Sequence, residues 1–249
     1  MFALERKGTE PAIVFVHGFC QSSAYWAASL DRVAERGVRA FAVDLPGFAA
    51  SAKLGGPYTM AGLADALALQ FDAWGLRQVT LVGGSMGGVV AQHFALRHPE
   101  RLQRLLLVAT GGFTLNEKLA LEKADALGAA AWNEETVTPM VDGFFHRRPS
   151  AAMLVEYRKI ALSASQQAAV GAARSNATNR TFDQLAVIRA PTMIIQGRHD
   201  RVRTPEHGAD MRDRIAGSVL AVIEDAGHTP QLEQPESFHD VALPFLFGE

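Results

Sequence analysis

The chain has 249 residues, 48% of them hydrophobic and 20% charged, enough to bury a large core beneath an ordinary polar surface. A net charge of -2 argues against electrostatic attraction to nucleic acid or an anionic membrane. The single cysteine, Cys20, excludes an intrachain disulfide and fits a cytoplasmic location. No run reaches the ~18 apolar residues of a membrane span, and charges at Glu5, Arg6, Lys7 and Glu10 break any secretory signal.

In chain order, AIVFV (12–16) reads as a strand buried on both faces, and spaced apolar positions over 22–36 suit a helix stopped at Gly37. VRAFAVD (38–44) is a second strand ending in the turn Leu45-Pro46-Gly47. Thr59 is placed as the N-cap of a helix over 60–74. QVTLVG (78–83), a helix over 86–98 and RLLLVAT (104–110) follow. The alternation implies a parallel sheet with helices on both faces. It lapses over 113–187, where only helical stretches (116–131, 134–145, 150–161, 165–174) are visible, with breaks expected at Pro139, Pro149 and Pro191. It resumes with TMIIQ (192–196), a helix near 205–215, SVLAVIE (218–224) and a helix near 236–246. The expected fold class is α/β, with a core domain of 1–112 and 188–249 and a helical cap inserted at 113–187.

Gly83-Gly84-Ser85-Met86-Gly87 joins a strand directly to a helix. This G-x-S-x-G pattern in that context suits a nucleophilic serine on a strained turn, lifted above the sheet at a helix N-terminus. A phosphate-binding turn is the weaker reading, because neither G-x-G-x-x-G nor a following Gly-Lys-Ser/Thr is present. A serine hydroxyl needs an imidazole to take its proton and a carboxylate to orient that imidazole. Of eight histidines, His228 sits in a turn-rich loop past a strand end, and Asp200 sits past TMIIQ. Asp225, in the same loop as His228, ranks below Asp200. The other histidines read as packing or surface residues. Two N–H groups are expected to hold the oxyanion, those of Met86 and Phe19, with His17 buttressing the loop by hydrogen bonding. Cys20 reads as a packing residue. No His/Cys/Asp cluster has zinc spacing, so neither metal nor cofactor is expected.

The segments HGF…W (17–26), VDLPGF (43–48), VGGSMGG (82–88), GRHD (197–200) and AGHTPQLEQPESF (226–238) together resemble the α/β-hydrolase superfamily over nearly the whole chain. The resemblance implies an eight-stranded, mostly parallel sheet, a helical cap and cofactor-free hydrolysis in the order Ser85, Asp200, His228. The first antiparallel hairpin must be short or incomplete, since only sixteen residues precede His17. GRHDRVRTPEHG also looks like the corresponding stretch of the meta-cleavage product hydrolases, which usually carry Asn where this chain has Gly84. The leading expectation is hydrolysis of a small, largely apolar ester or lactone. The alternatives are carbon–carbon hydrolysis of a ring-cleavage dienoate, a ligand receptor retaining the site, or a lyase or acyl transferase. Of the cations at Arg174, Arg180 and the Arg201–Arg203 segment, none is expected in the pocket beside Ser85. Partners are limited to a small-molecule substrate, with a homodimer left open.

Overall fold

The computed structural model describes residues 1–249 except Leu54, Pro57 and Leu115. β1 (Phe2–Arg6), β2 (Thr9–Val16), a 3-10 turn (Ser23–Trp26), α1 (Ala27–Ala34) and β3 (Val38–Asp44) open the chain. α2 (Met60–Ala73), β4 (Val79–Gly84), α3 (Met86–Arg97) and β5 (Leu102–Val108) follow. Four helices then intervene: α4 (Glu117–Ala129), α5 (Glu134–Asp142), α6 (Ala151–Ser163) and α7 (Gln166–Ala177). β6 (Thr192–Gly197), α8 (Pro205–Arg212), β7 (Val219–Ile223), the single turn α9 (Pro230–Glu233) and α10 (Pro235–Phe247) complete it.

Among the described residues the sheet has seven strands in the order β1-β3-β2-β4-β5-β6-β7, not the eight implied by resemblance. Only β1 is antiparallel, and it pairs with β3 rather than forming a hairpin with β2. β1 escaped the sequence reading because, as an edge strand, it carries no continuous apolar run. In the centre both faces are buried. Ala12, Val14 and Val16 of β2 enter one core while Ile13 and Phe15 enter the other. β5 divides likewise, with Leu105 and Leu107 on one side and Leu106 and Val108 on the other. α1 and α10 cover one face through Leu30, Val33, Phe238 and Ala242. α2 and α3 cover the other through Leu63, Leu67, Phe71, Val90 and Phe94.

Of the helices between β5 and β6, α5, α6 and α7 join this second core through Val137, Val141, Leu154, Tyr157 and Ala168, and α4 packs the partly buried Leu127 against it. Within them α4 packs on α7 and α5 on α6. The Ser165 N–H donates to Gly47 O (2.9 Å) and the Met60 N–H to Ser175 Oγ (2.9 Å), tying α7 to the loops below. Thr59 caps α2 by accepting from Gly62 N–H. Pro139 lies inside α5 rather than breaking the chain, so that helix forgoes one N–H and holds through the buried Val137 and Val141. The expected helix over 22–36 starts as a 3-10 turn, with Ser22 accepting from Ala24 N–H. No helix of the described residues is long and apolar enough to cross a membrane.

Candidate active site

Ser85 immediately follows β4 with φ 50° and ψ −116°, a backbone conformation sparsely populated for any residue with a side chain. The turn needs glycine on both sides. A Cβ on Gly83 would lie 2.4 Å from Gly87 O, and one on Gly87 would lie 2.5 Å from the Val16 and His17 carbonyls. The Ser85 N–H donates to Val108 O (2.8 Å), and Thr110 Oγ1 donates to Ser85 O (2.6 Å). Thr110 thus clamps the turn from β5's end, a role that its place at the end of an apolar run did not signal.

Asp200 lies three residues past β6 and is buried. Its Oδ1 accepts the N–H groups of Val202 (2.7 Å) and Arg203 (2.9 Å), and its Oδ2 faces His228 Nδ1 at 2.7 Å. The other ring nitrogen, Nε2, lies 2.7 Å from Ser85 Oγ. Nδ1–H can only donate to the carboxylate, so Nε2 is left to accept the serine proton. The His228 loop is held by Glu233, whose Oε1 accepts from Gly227 N–H (3.0 Å) and Thr229 N–H (3.2 Å). Its Oε2 accepts from His146 N–H (2.7 Å), and His228 N–H donates to Phe144 O (2.9 Å). The loop between α5 and α6 therefore rests on the loop carrying His228. In the sequence Glu233 is only one position of the AGHTPQLEQPESF segment, and nothing in its spacing signals this task.

Met86 opens α3, so its N–H has no acceptor within the helix. Among the described residues nothing accepts from the Phe19 N–H either. Both residues line the same cavity as Ser85 and His228. His17 Nδ1–H donates to Gly18 O (2.7 Å) while Nε2 accepts from Leu45 N–H (3.0 Å), which fixes one neutral tautomer. Burial holds its pKa below the ordinary value. Cys20 is fully buried, and burial drives its thiol pKa far up, so it stays protonated and unreactive. Asp225 is exposed and ion-paired with Arg147 at 3.0 Å.

The cavity encloses about 510 Å³. Phe19, Met86, Met140, Phe144, Ala173 and Val202 give it apolar walls, while Thr114, Asn176, Lys123 and Arg203 add polar groups. The expectation of no arginine there is overturned. Arg174 pairs with Asp125 and Arg180 with Glu117, but Arg203 forms part of the wall. The cause is tertiary: the turn whose N–H groups bind Asp200 brings Arg203, three residues on, to the cavity wall. A larger, charged cleft of about 800 Å³, lined by Glu10, Pro11, Gln78 and Gln103, sits at the opposite edge, where the strands begin. Parallel sheets bind ligands at the other edge, and that cleft contains none of the residues above.

Spacing along the chain marked no metal cluster, yet the fold gathers His146, His199 and Asp225, with one ligand atom from each within 4.8 Å of the others. All three are exposed, the two rings stack at 3.9 Å, and none lines the Ser85 cavity.

A Cβ on Gly84 would lie 2.9 Å from the buried Trp26 ring, so an asparagine there would require Trp26 to move. A 2-hydroxy-6-oxononadienedioate/2-hydroxy-6-oxononatrienedioate hydrolase of Klebsiella pneumoniae is 31% identical, over 94% of this chain and 86% of that protein. An esterase of Thermogutta terrifontis superposes with a TM-score of 0.91 at 28% identity, over 99% of this chain and 93% of that one. The enol-lactonase of Burkholderia xenovorans shares the fold at a TM-score of 0.90 and 20% identity, over 99% and 95%. Residues 13–241 match the model of the alpha/beta hydrolase family. The chain belongs to that family and is a hydrolase.

Proposed function

We propose that this protein cleaves a small carboxylic ester or lactone through an acyl-enzyme on Ser85, without a cofactor. The observation that carries the reading is the unbroken chain from Asp200 through His228 to Ser85, 2.7 Å at each link, opening into a cavity. As His228 Nε2 takes the hydroxyl proton, Ser85 Oγ attacks the carbonyl carbon. Asp200 accepts from Nδ1–H and stabilises the imidazolium. The Met86 and Phe19 N–H groups hold the oxyanion. His228 then returns the proton to the leaving alcohol, which stays tethered if the substrate is a lactone. Water, deprotonated by His228, releases the acid. Residues 113–187 act as a cap over a core of 1–112 and 188–249, shaping the acyl pocket. The lone Cys20 supports a cytoplasmic location. The test is turnover of p-nitrophenyl esters beyond one equivalent, lost in Ser85→Ala. A single stoichiometric burst would instead favour a receptor.

A second reading is carbon–carbon hydrolysis of a meta-cleavage-type dienoate. The named activity of the Klebsiella relative favours it. The absence of a side chain at Gly84, where Trp26 fills the space, weighs against it. Direct comparison of a 2-hydroxy-6-oxo-dienoate with short esters decides between the two.

A further inference from the structure

The Ser85 cavity has two cations in its wall, Arg203 and Lys123, and no acidic residue among those described there. Arg203 is anchored by its main chain, whose N–H is held by Asp200 Oδ1. Its side chain runs past Gly111, where an added Cβ would lie 3.4 Å from Cδ and 3.6 Å from Nε. Among the described residues the guanidinium makes neither an ion pair nor a side-chain hydrogen bond. Asp200 attracts it through space but accepts no side-chain hydrogen bond from it, its oxygens being taken by two N–H groups and by His228. Lys123, on the exposed side of α4, has no carboxylate partner among the described residues either. Burial outweighs the pull of Asp200 and disfavours the charged form of Arg203, which marks a cation only partly compensated for its removal from water. Such a group is left unpaired at a cost, and an incoming carboxylate removes that cost through a bidentate, charge-assisted pair. The Asn176 amide borders the same space and suits an oxyanion's remaining lone pairs, while the Thr114 hydroxyl beside it donates to Asn176 O (3.2 Å).

We propose that Arg203, assisted by Lys123, forms an anion subsite in the Ser85 cavity, and that the substrate carries a carboxylate in addition to its scissile carbonyl. The apolar walls between then receive the connecting carbons. This rests on the acyl-hydrolase reading of Ser85, and it replaces a wholly neutral substrate with a monoester or lactone of a diacid. Because Arg203 belongs to the loop that holds Asp200, anion binding and the orientation of His228 are coupled through one turn.

The experiment compares the p-nitrophenyl half-ester of glutaric acid with p-nitrophenyl pentanoate. The wild type should prefer the anionic ester by ~10-fold or more in kcat/KM, the scale of one charge-assisted hydrogen-bond pair. Arg203→Met should collapse that ratio mainly through KM. Arg203→Lys, which keeps the charge but not the fork, should restore part of it, and Lys123→Met should lower it less. The substitutions retain the Arg203 N–H to Asp200, and thermal melting checks the fold. In parallel, glutarate is titrated calorimetrically into Ser85→Ala and into the double variant with Arg203→Met. Arg203-dependent glutarate binding supports the subsite even if neither ester is hydrolysed, a result that would sink the esterase reading alone. Equal turnover of the two esters, with no glutarate binding, overturns the subsite while leaving the serine hydrolase in place.

Discussion

The Ser85 backbone stores strain, on the order of 1–3 kcal/mol for such a conformation, at a residue that lines the cavity. Alanine occupies the same conformation without the oxygen. Ser85→Ala should therefore lower kcat by ~10⁶ while leaving the melting temperature within a few degrees of wild type. A folded variant that retains most of the esterase rate would refute the nucleophile. Asp200→Asn should cost ~10⁴ in kcat, since an amide presents a donor to Nδ1–H and favours the wrong tautomer of His228. Asp225→Asn should be mild, because its carboxylate faces Arg147. The reverse ranking would displace the acid. The meeting of Ser85, Asp200 and His228 was legible because each follows a strand end and the chain order is characteristic. Arg203 and Lys123 were not, since a cation in a loop or on a helix reads as surface until the fold decides which cavity it meets. Thr110 was hidden for a related reason: its hydroxyl is committed to a carbonyl twenty-five positions away in sequence.

At the scale of elements, the doubly buried strands announced themselves as apolar runs, and the helices by spacing and caps. What escaped, β1 and the short turns, lacks either signal. The loops contacting His228 were also beyond sequence pattern, because Glu233 works through backbone N–H groups that any residue offers. Its carboxylate gathers donors from both sides of the site, at 227–229 and at 146–147. Glu233→Ala orphans those donors, at a cost of about 1–3 kcal/mol in stability. It should also lower kcat about 10-fold or more through misplaced His228, the sensitivity expected of a catalytic group moved by less than 1 Å. Glu233→Gln, which keeps an acceptor oxygen, should recover part of both. A variant with normal kcat and lowered melting temperature would assign Glu233 to stability alone. The neighbouring His146–His199–Asp225 cluster lies outside the cavity, so turnover should survive EDTA; chelator-sensitive, metal-restorable activity would tie it to the reaction.

For the whole molecule, acidification tests how its histidines are buried. His17, His93, His207 and His239 all have pKa values held below the ordinary 6.5, in each case chiefly because burial penalises the charged ring. They lie in different places. His17 follows β2 and bonds Leu45 N–H, His93 bonds Asn179 at the foot of α7, His207 lies beside Arg203, and His239 bonds Ser29 between α10 and α1. Above the unfolded value of 6.5 both states hold the rings neutral, and their contribution to stability is level. Below it the unfolded chain takes up protons that the native chain refuses. Stability must then decline as pH falls from 6.5 toward the native pKa values, and must rise with pH through that window. The ceiling is about 1.4 kcal/mol per histidine per pH unit, and each kcal/mol is about 2–4 °C of melting temperature for a chain of this size. We expect melting temperature to be flat from pH 8 to 7 and to drop by several degrees by pH 5.5. His239→Gln, which can still meet the Ser29 hydroxyl and lies away from Ser85, should flatten the slope without altering the pH 8 rate. A melting curve indifferent to pH between 7 and 5.5, or a His239→Gln slope equal to wild type, would mean that these rings accept protons within the fold.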